Sequence, residues 1–447
     1  MSDAGAPERD GSARLPLRTD LNPVVRAVRE AGAEAFVAVA DRADRDLRYL
    51  TRSGRPERPY GVVVTPESAA TPATATLLAP ARSEATSRRF VDAATADGVS
   101  VDGASADATT GAASADGTSA DAFHDGIVRA VRTERAGEPV GNRAAAVLDE
   151  RQPDESELLV PRSIPHDAAV YLERAGYALS STPVVGETRA VKTPVEVDRI
   201  RRVQRAAAAG MARAETVLAR SEPRTEADGS GETAGSPEDR GVLRWNGGTL
   251  TTERLRRAVN ATLAGAGVSD ADNTVIGAGR AAAARRAGDG PIRAGETVVV
   301  DVAPRGPGGY HGGLTRTFVV DGDGGWARRA YVAVEAAREA ALAEVEPGAP
   351  AATVHGEAAA ELAAYGFDPD AASGEAGFAH GVGMSRREPP SLPGDTALRA
   401  GHVLAVRPGV YDLAAGGVRV ADVVVVREDG HEVLGEYPFG TAPIARE

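Results

Sequence analysis

The stretch Thr297–Phe318, TVVVDVAPRGPGGYHGGLTRTF, decides how the rest of the chain is read. An apolar run, Val298–Val300, leads into one carboxylate, Asp301, and then into the turn-rich segment Arg305-Gly306-Pro307-Gly308-Gly309. A second extended run ends in Thr315-Arg316-Thr317-Phe318. β-Branched runs separated by Gly and Pro predict a hairpin. Centred on Pro307, it would set Asp301 opposite Gly313, and facing residues of a ladder stand about 4.5–5.5 Å apart. The chain thus puts a single acid in an apolar strand and a glycine where its facing partner belongs.

Working outward, the hairpin follows two amphipathic segments. In residues 193–220, Ile200, Val203, Ala207, Met211, Ala214 and Leu218 share one helical face, and Thr252 could cap a helix presenting Leu255, Val259 and Leu263. The same order then returns: helical patterns over 326–345 and 351–367, then strands over 402–412 and 416–429. Two helices and a hairpin, twice, predict a duplicated half-domain with a pseudo-two-fold axis, and the space between the hairpins is the default place for chemistry. Upstream, a helix over 23–31, strands over 35–40, 60–66 and 74–80, and a helical 167–177 predict a separate α/β domain. Two stretches lack the apolar residues to offset their ordering entropy and read as flexible insertions: 92–126, where Ser-Ala-Asp recurs, and 222–240. Residues 1–20 read as a disordered tail.

Composition narrows the function classes. The 447 residues are 42% hydrophobic, as in a soluble globular protein, and no cysteine is present, which excludes disulfides, thiolate catalysis and thiolate zinc sites. No run long enough to span a bilayer and no signal-peptide pattern is found, so a cytoplasmic location is expected. Of the 51 basic residues only Lys192 is lysine; 64 acids bring the net charge to −13. Such an acidic, lysine-poor chain fits a halophile, whose surfaces stay hydrated in strong salt, or GC-driven codon usage. Without a basic stripe, nucleic acid and anionic membranes are not expected partners.

Four ordered segments, VVVDVAPRGPGGYHGGLTRTF, AHGVGMSRREPP, GHVLAVRPGVYD and GGVRVADVVVVREDG, together with RAVKTPVEVDRIRRVQRAA before them, resemble the metallopeptidases of the aminopeptidase P, prolidase, methionine aminopeptidase and creatinase group. The resemblance covers most of residues 21–447. It implies an α/β creatinase-type N-terminal domain over 21–190 and an α+β pita-bread domain with pseudo-two-fold symmetry over 191–447. It implies Xaa-Pro peptidase chemistry on two divalent metals (Mn, Co or Zn) held by two aspartates, a histidine and two glutamates. It also makes a homodimer the expected state.

Carried over position by position, the resemblance places those ligands on Asp301, Gly313, His380, Arg407 and Ala421, so only Asp301 and His380 keep a ligating side chain. The family's proton-handling histidines fall on Arg387, followed by Glu388, and near Arg285 or Arg286. His311 is a conceivable substitute ligand, with a lone surface histidine the plainer reading. A buried acid without a cation is costly, so Arg407 is expected in salt-bridge reach of Asp301 as a stand-in for metal, with Arg419 a second candidate partner and Glu388 part of the remnant site. These losses point to a homologue without metal or catalysis that binds a peptide, a small molecule or a paralogue. The alternative is an active Xaa-Pro metallopeptidase with an altered or single-metal site.

Overall fold

A computed structural model describes residues 17–52, 58–69, 71–81, 87, 90–91, 125–133, 137–151, 157–224, 241–284, 288–370, 378–392 and 394–446. The chain divides into two compact units, Met1–Thr188 and Arg189–Glu447. Residues 1–16 of the expected tail, 92–124 and 225–240 of the expected insertions, and the Arg285 and Arg286 positions lie outside the described residues. Their flanks depart from expectation. Thr19 is buried, and Asp125 is a buried acid paired with Arg18 at 2.9 Å and Arg129 at 2.6 Å, so neither end behaves as a loose tail or loop. Glu222–Pro223 pairs with Leu243–Trp245, which moves the start of the second insertion past the strand.

The first unit is a six-stranded mixed sheet in the order β4-β3-β2-β1-β5-β6, with β1 Ala35–Ala40, β2 Tyr60–Thr65, β3 Thr74–Ala79, β4 Val128–Thr133, β5 Glu157–Pro161 and β6 Ala178–Thr182. Strand residues Ala35, Val37, Val39, Val63 and Leu78 pack with Leu148 and Leu172 from the helices Val140–Asp149 and His166–Arg174.

The second unit shows the predicted repetition. In its first half, helices α1 (Pro194–Ala219) and α2 (Thr252–Gly265) precede the sheet β7-β8-β9, made of Thr274–Ala278, Thr297–Val302 and Leu314–Val319. Helix α1 opens with Thr193 and Glu196 in a reciprocal cap. Helix α2 is capped by Thr251, not Thr252, because Thr252 Oγ1 instead donates to the Gly288 carbonyl at 2.5 Å. In the second half, α3 (Gly325–Ala343) and α4 (Ala351–Ala364) precede strands β10 (Ala379–Gly381), β11 (Glu388–Leu392), β12 (Val403–Val406), β13 (Gly409–Asp412), β14 (Gly416–Arg419), β15 (Asp422–Arg427) and β16 (Gly430–Val433).

Each half has its own core. Val298, Val300, Val302, Leu314 and Phe318 face α1 and α2; Leu404, Val406, Val418, Val420 and Val424 face α3 and α4. A strand shows alternate residues to opposite faces, so Asp301, Gly313, Thr315, Arg407 and Arg419 are set on the faces turned from the helices. The halves meet where Thr315 and Ala421 exchange two backbone hydrogen bonds of 3.1 Å. Arg316, fully buried, locks that junction through the Ala421 carbonyl at 3.1 Å and Asp422 at 2.8 Å.

Two expected strands are broken. Residues 402–412 form β12 and β13 in different sheets, and 416–429 form β14 and β15 likewise. Pro408 cannot donate to a ladder, so the strand changes sheet there, and Arg407 is left at the break. The expected register also fails. Asp301 pairs with Thr315, and the ladder continues through a bridge between Arg305 and His311, so it is centred on Gly308. Gly309 donates to the Gly306 carbonyl at 2.9 Å, making Pro307 the second residue of a tight turn, and Gly309 itself adopts φ +91°. That extra left-handed residue moves the centre one place and the pairing two. Gly313 is therefore the diagonal, same-face neighbour of Asp301, not its facing partner.

Candidate functional site

Asp301 is the next-to-last residue of β8, 7% exposed, and accepts three hydrogen bonds. Thr315 Oγ1, directly across the ladder, donates to Oδ1 at 3.1 Å. Arg419 Nη2 from β14 and Arg386 Nη2 from the loop before β11 donate to Oδ2 at 2.7 and 3.1 Å. Burial pushes this carboxyl up, yet Arg419, then Arg386 and Arg407, together with the Thr315 bond, hold it below the ordinary carboxylate range. The expected Arg407–Asp301 pair is thus replaced: Arg419 and Arg386 occupy the carboxylate.

Arg407 turns to the other retained residue. Its Nη1 lies 3.1 Å from His380 Nε2, while His380 Nδ1 lies 3.0 Å from the Gly381 carbonyl oxygen. A carbonyl can only accept, so Nδ1 carries the proton and Nε2 offers its lone pair to the guanidinium. Burial first, then Arg407, Arg387 and Arg386, bring the imidazole down to about 3, so it is neutral at ordinary pH. Burial, and after it Arg419, brings Arg407 down to about 10. Arg387 is exposed; desolvation and then Arg386 and Arg419 press it below the usual guanidinium range.

The remaining positions separate from this cluster. Glu388 turns into a buried group of its own, 2.6 Å from Lys192 Nζ and 3.3 Å from Arg189 Nη2, and accepts from the Ser385 N–H at 3.2 Å. The chain's one lysine is thus a buried counter-ion. A Cβ on Gly383 would fall 2.0 Å from Glu388 Oε1, so any side chain there would push the carboxylate off its pair with Lys192. Gly313 is clasped by Gln204 of α1, which accepts from its N–H at 2.8 Å and donates to its carbonyl at 2.7 Å. His311, expected at the surface, is buried at 7% exposure, its N–H donating to the Gly383 carbonyl at 2.8 Å.

Arg386 is the residue sequence reasoning missed. The adjacent Arg387 holds the motif position, and nothing in the sequence says which of two neighbouring arginines turns inward. The donor set does not fit a metal pair. Among the described residues no three His, Asp or Glu side chains are grouped so as to hold an ion, and the free lone pair of His380 is taken by Arg407. Also among the described residues, no helix is long and apolar enough to cross a membrane.

Comparison with known proteins places this geometry in context. The profile described as "Metallopeptidase family M24" matches residues 198–428. "Probable dipeptidase PepE" of Mycobacterium tuberculosis is 30% identical over 160 residues, 34% of this chain and 40% of that protein. The Xaa-Pro dipeptidase of Pyrococcus furiosus is 30% identical over 166 residues, 36% of this chain and 47% of its own. The matched regions thus span less than half the length of these curated relatives. The solved Xaa-Pro dipeptidase from Bacillus anthracis superposes with a TM-score of 0.71, over 95% of this chain and 98% of that one, at 17% identity, a likeness of fold.

Proposed function

The chain belongs to metallopeptidase family M24, and from that membership we propose that it is an Xaa-Pro dipeptidase-like homologue that has lost metal-dependent catalysis and works as a binding protein for a peptide, a small molecule or a paralogue. One observation carries the reading: the guanidinium of Arg407 donates to Nε2 of His380. A cation thereby occupies the lone pair through which this imidazole would hold a metal. Gly313 and Ala421 supply no oxygen ligand from their side chains, and Asp301 is satisfied by two arginines and a threonine. Two divalent ions are stabilised by several carboxylates; this site offers one carboxylate and four guanidiniums, an electrostatic environment that repels them.

The test is metal content and turnover together. After incubation with manganese, cobalt or zinc and gel filtration, the protein is expected to carry no stoichiometric metal and to leave Xaa-Pro dipeptides and tripeptides intact. Turnover that a chelator abolishes and manganese restores, and that is lost in Asp301→Asn, would overturn the reading in favour of an active metallopeptidase with an altered or single-metal site. The variant separates genuine turnover from a contaminating host peptidase.

A further inference from the structure

Charge in the site is unbalanced. Arg419 and Arg386 reach the Asp301 carboxylate at 2.7 and 3.1 Å, Arg407 stands 3.1 Å from His380 Nε2, and Arg387 follows Arg386 in the chain. Among the described residues Asp301 is the one carboxylate in ion-pair reach of any of the four. Arg387 and Arg407 have no carboxylate partner there at all. The imbalance stands in a chain with 64 acids and a net charge of −13, where a second carboxylate beside the cluster would be the cheap solution. Holding like charges together is unfavourable unless an anion joins them.

The donors are also unspent. A guanidinium carries five N–H groups. Arg386 uses one nitrogen on Asp301, and Arg407 one on His380. Arg419, 8% exposed, leaves its Nε buried without a partner among the described residues. Solvent reaches the cluster: the Arg386 side chain is 35% exposed, Arg387 is exposed and Arg407 is half-buried. The neutral imidazole of His380 keeps Arg407 in place without adding charge.

We propose that Arg386, Arg387 and Arg407, backed by the Arg419–Asp301 pair, form a receptor for an oxyanion, the carboxylate or phosphate group of a small ligand. The planar guanidinium grips such groups with paired hydrogen bonds. Arg419 is committed to Asp301 and sets the floor of the site; the other three supply the free donors. The inference rests on the metal-free reading above and gives its ligand a chemical class.

The experiment is calorimetric titration with inorganic phosphate, with Gly-Pro and with Gly-Pro C-terminal amide, at ionic strength held constant with sodium chloride. Saturable one-site binding of phosphate or of the free dipeptide is expected. Loss of affinity in the amide identifies a peptide carboxylate as the source, and binding of phosphate alone identifies a phosphorylated ligand. Arg387→Gln and Arg407→Gln should each weaken binding by about tenfold or more, the cost of one charged hydrogen-bonding group. Arg387 is exposed, so its variant keeps the fold and the test stands if Arg407→Gln does not. No saturable binding of any probe, or equal affinity in both variants and the wild type, overturns the proposal. A manganese titration of the same preparation separates the two readings: tight metal binding defeats the metal-free premise, whereas neither metal nor anion binding defeats the receptor alone.

Discussion

Asp301 accepts from three donors on three different segments, so removing it and removing one nearby cation are unequal perturbations. Asp301→Asn should destabilise by about 3–5 kcal/mol, because it leaves four guanidiniums together with no carboxylate. Arg407→Gln should change stability by about 1 kcal/mol or less, since Asp301 keeps Arg419 and Arg386 while the cluster sheds a repelling charge. Urea unfolding of both variants checks this; a larger cost for Arg407→Gln would mean that Arg407 carries the Asp301 charge after all. His402 gives a second prediction. Its Nδ1 accepts the Arg399 N–H at 3.1 Å, and burial, then Lys192 and Arg399, bring it from 6.5 to about 4. A depressed histidine leaves the unfolded chain binding the proton that the folded one refuses. Its contribution is whole above pH 6.5 and drains away as pH falls toward 4, about 2 kcal/mol by pH 5. His402→Asn, which keeps an acceptor for Arg399, should flatten the slope of stability against pH by about two-thirds of a proton on average between 7 and 5, and most at the acid end; an unchanged slope would show that His402 is protonated in the fold.

At the level of elements, the hairpins decide what chemistry the fold can carry. Gly313 and Ala421 lie on backbone that is already in position: a Cβ on Gly313 meets only Val423 Cγ2 at 3.4 Å, an ordinary contact, and Ala421 is bridged to Thr315 beside Asp301. The triple variant Gly313→Asp, Arg407→Glu, Ala421→Glu should therefore fold and gain a chelator-reversible affinity for manganese, raising stability by about 2.7 kcal/mol at a hundredfold excess over Kd. A folded triple variant with no metal-dependent shift in unfolding would show that the strands do not place these positions around one point. The repeat of helices and hairpin was legible in the sequence, because Val298, Val300 and Val302 alternate with Val299 and Asp301 and the pattern returns downstream. The pairing of Asp301 was not, since it depends on whether Pro307 stands at the middle of its turn or second in it, and one left-handed glycine, Gly309, decides that. The strand expected over 402–412 runs through Pro408, a residue that cannot donate to a ladder and so carried a signal of the break that the expectation passed over. The orientation of Arg407, just before Pro408, follows from His380, which lies in another motif and becomes a neighbour only on folding.

For the whole molecule, the arginine cluster and the overall charge pull in opposite directions, and their response to salt separates them. A net charge of −13 spread over the chain is a diffuse self-repulsion that salt screens as the Debye length falls from about 10 Å at 0.1 M to about 3 Å at 1 M. Thermal unfolding midpoints should therefore climb by several degrees between 0.1 and 2 M sodium chloride, without saturating early. An anion seated among Arg386, Arg387 and Arg407 acts by mass action instead, so its contribution levels off once the site is filled. The expected curve is an early rise that Arg387→Gln and Arg407→Gln remove, followed by a continued climb that they leave alone. Phosphate added at fixed ionic strength draws the early part, and sodium chloride, whose anion is not an oxyanion, draws the climb. A midpoint that is flat or falls with sodium chloride would show that acidic repulsion does not limit this fold, and that the scarcity of lysine reflects codon usage and not adaptation to salt.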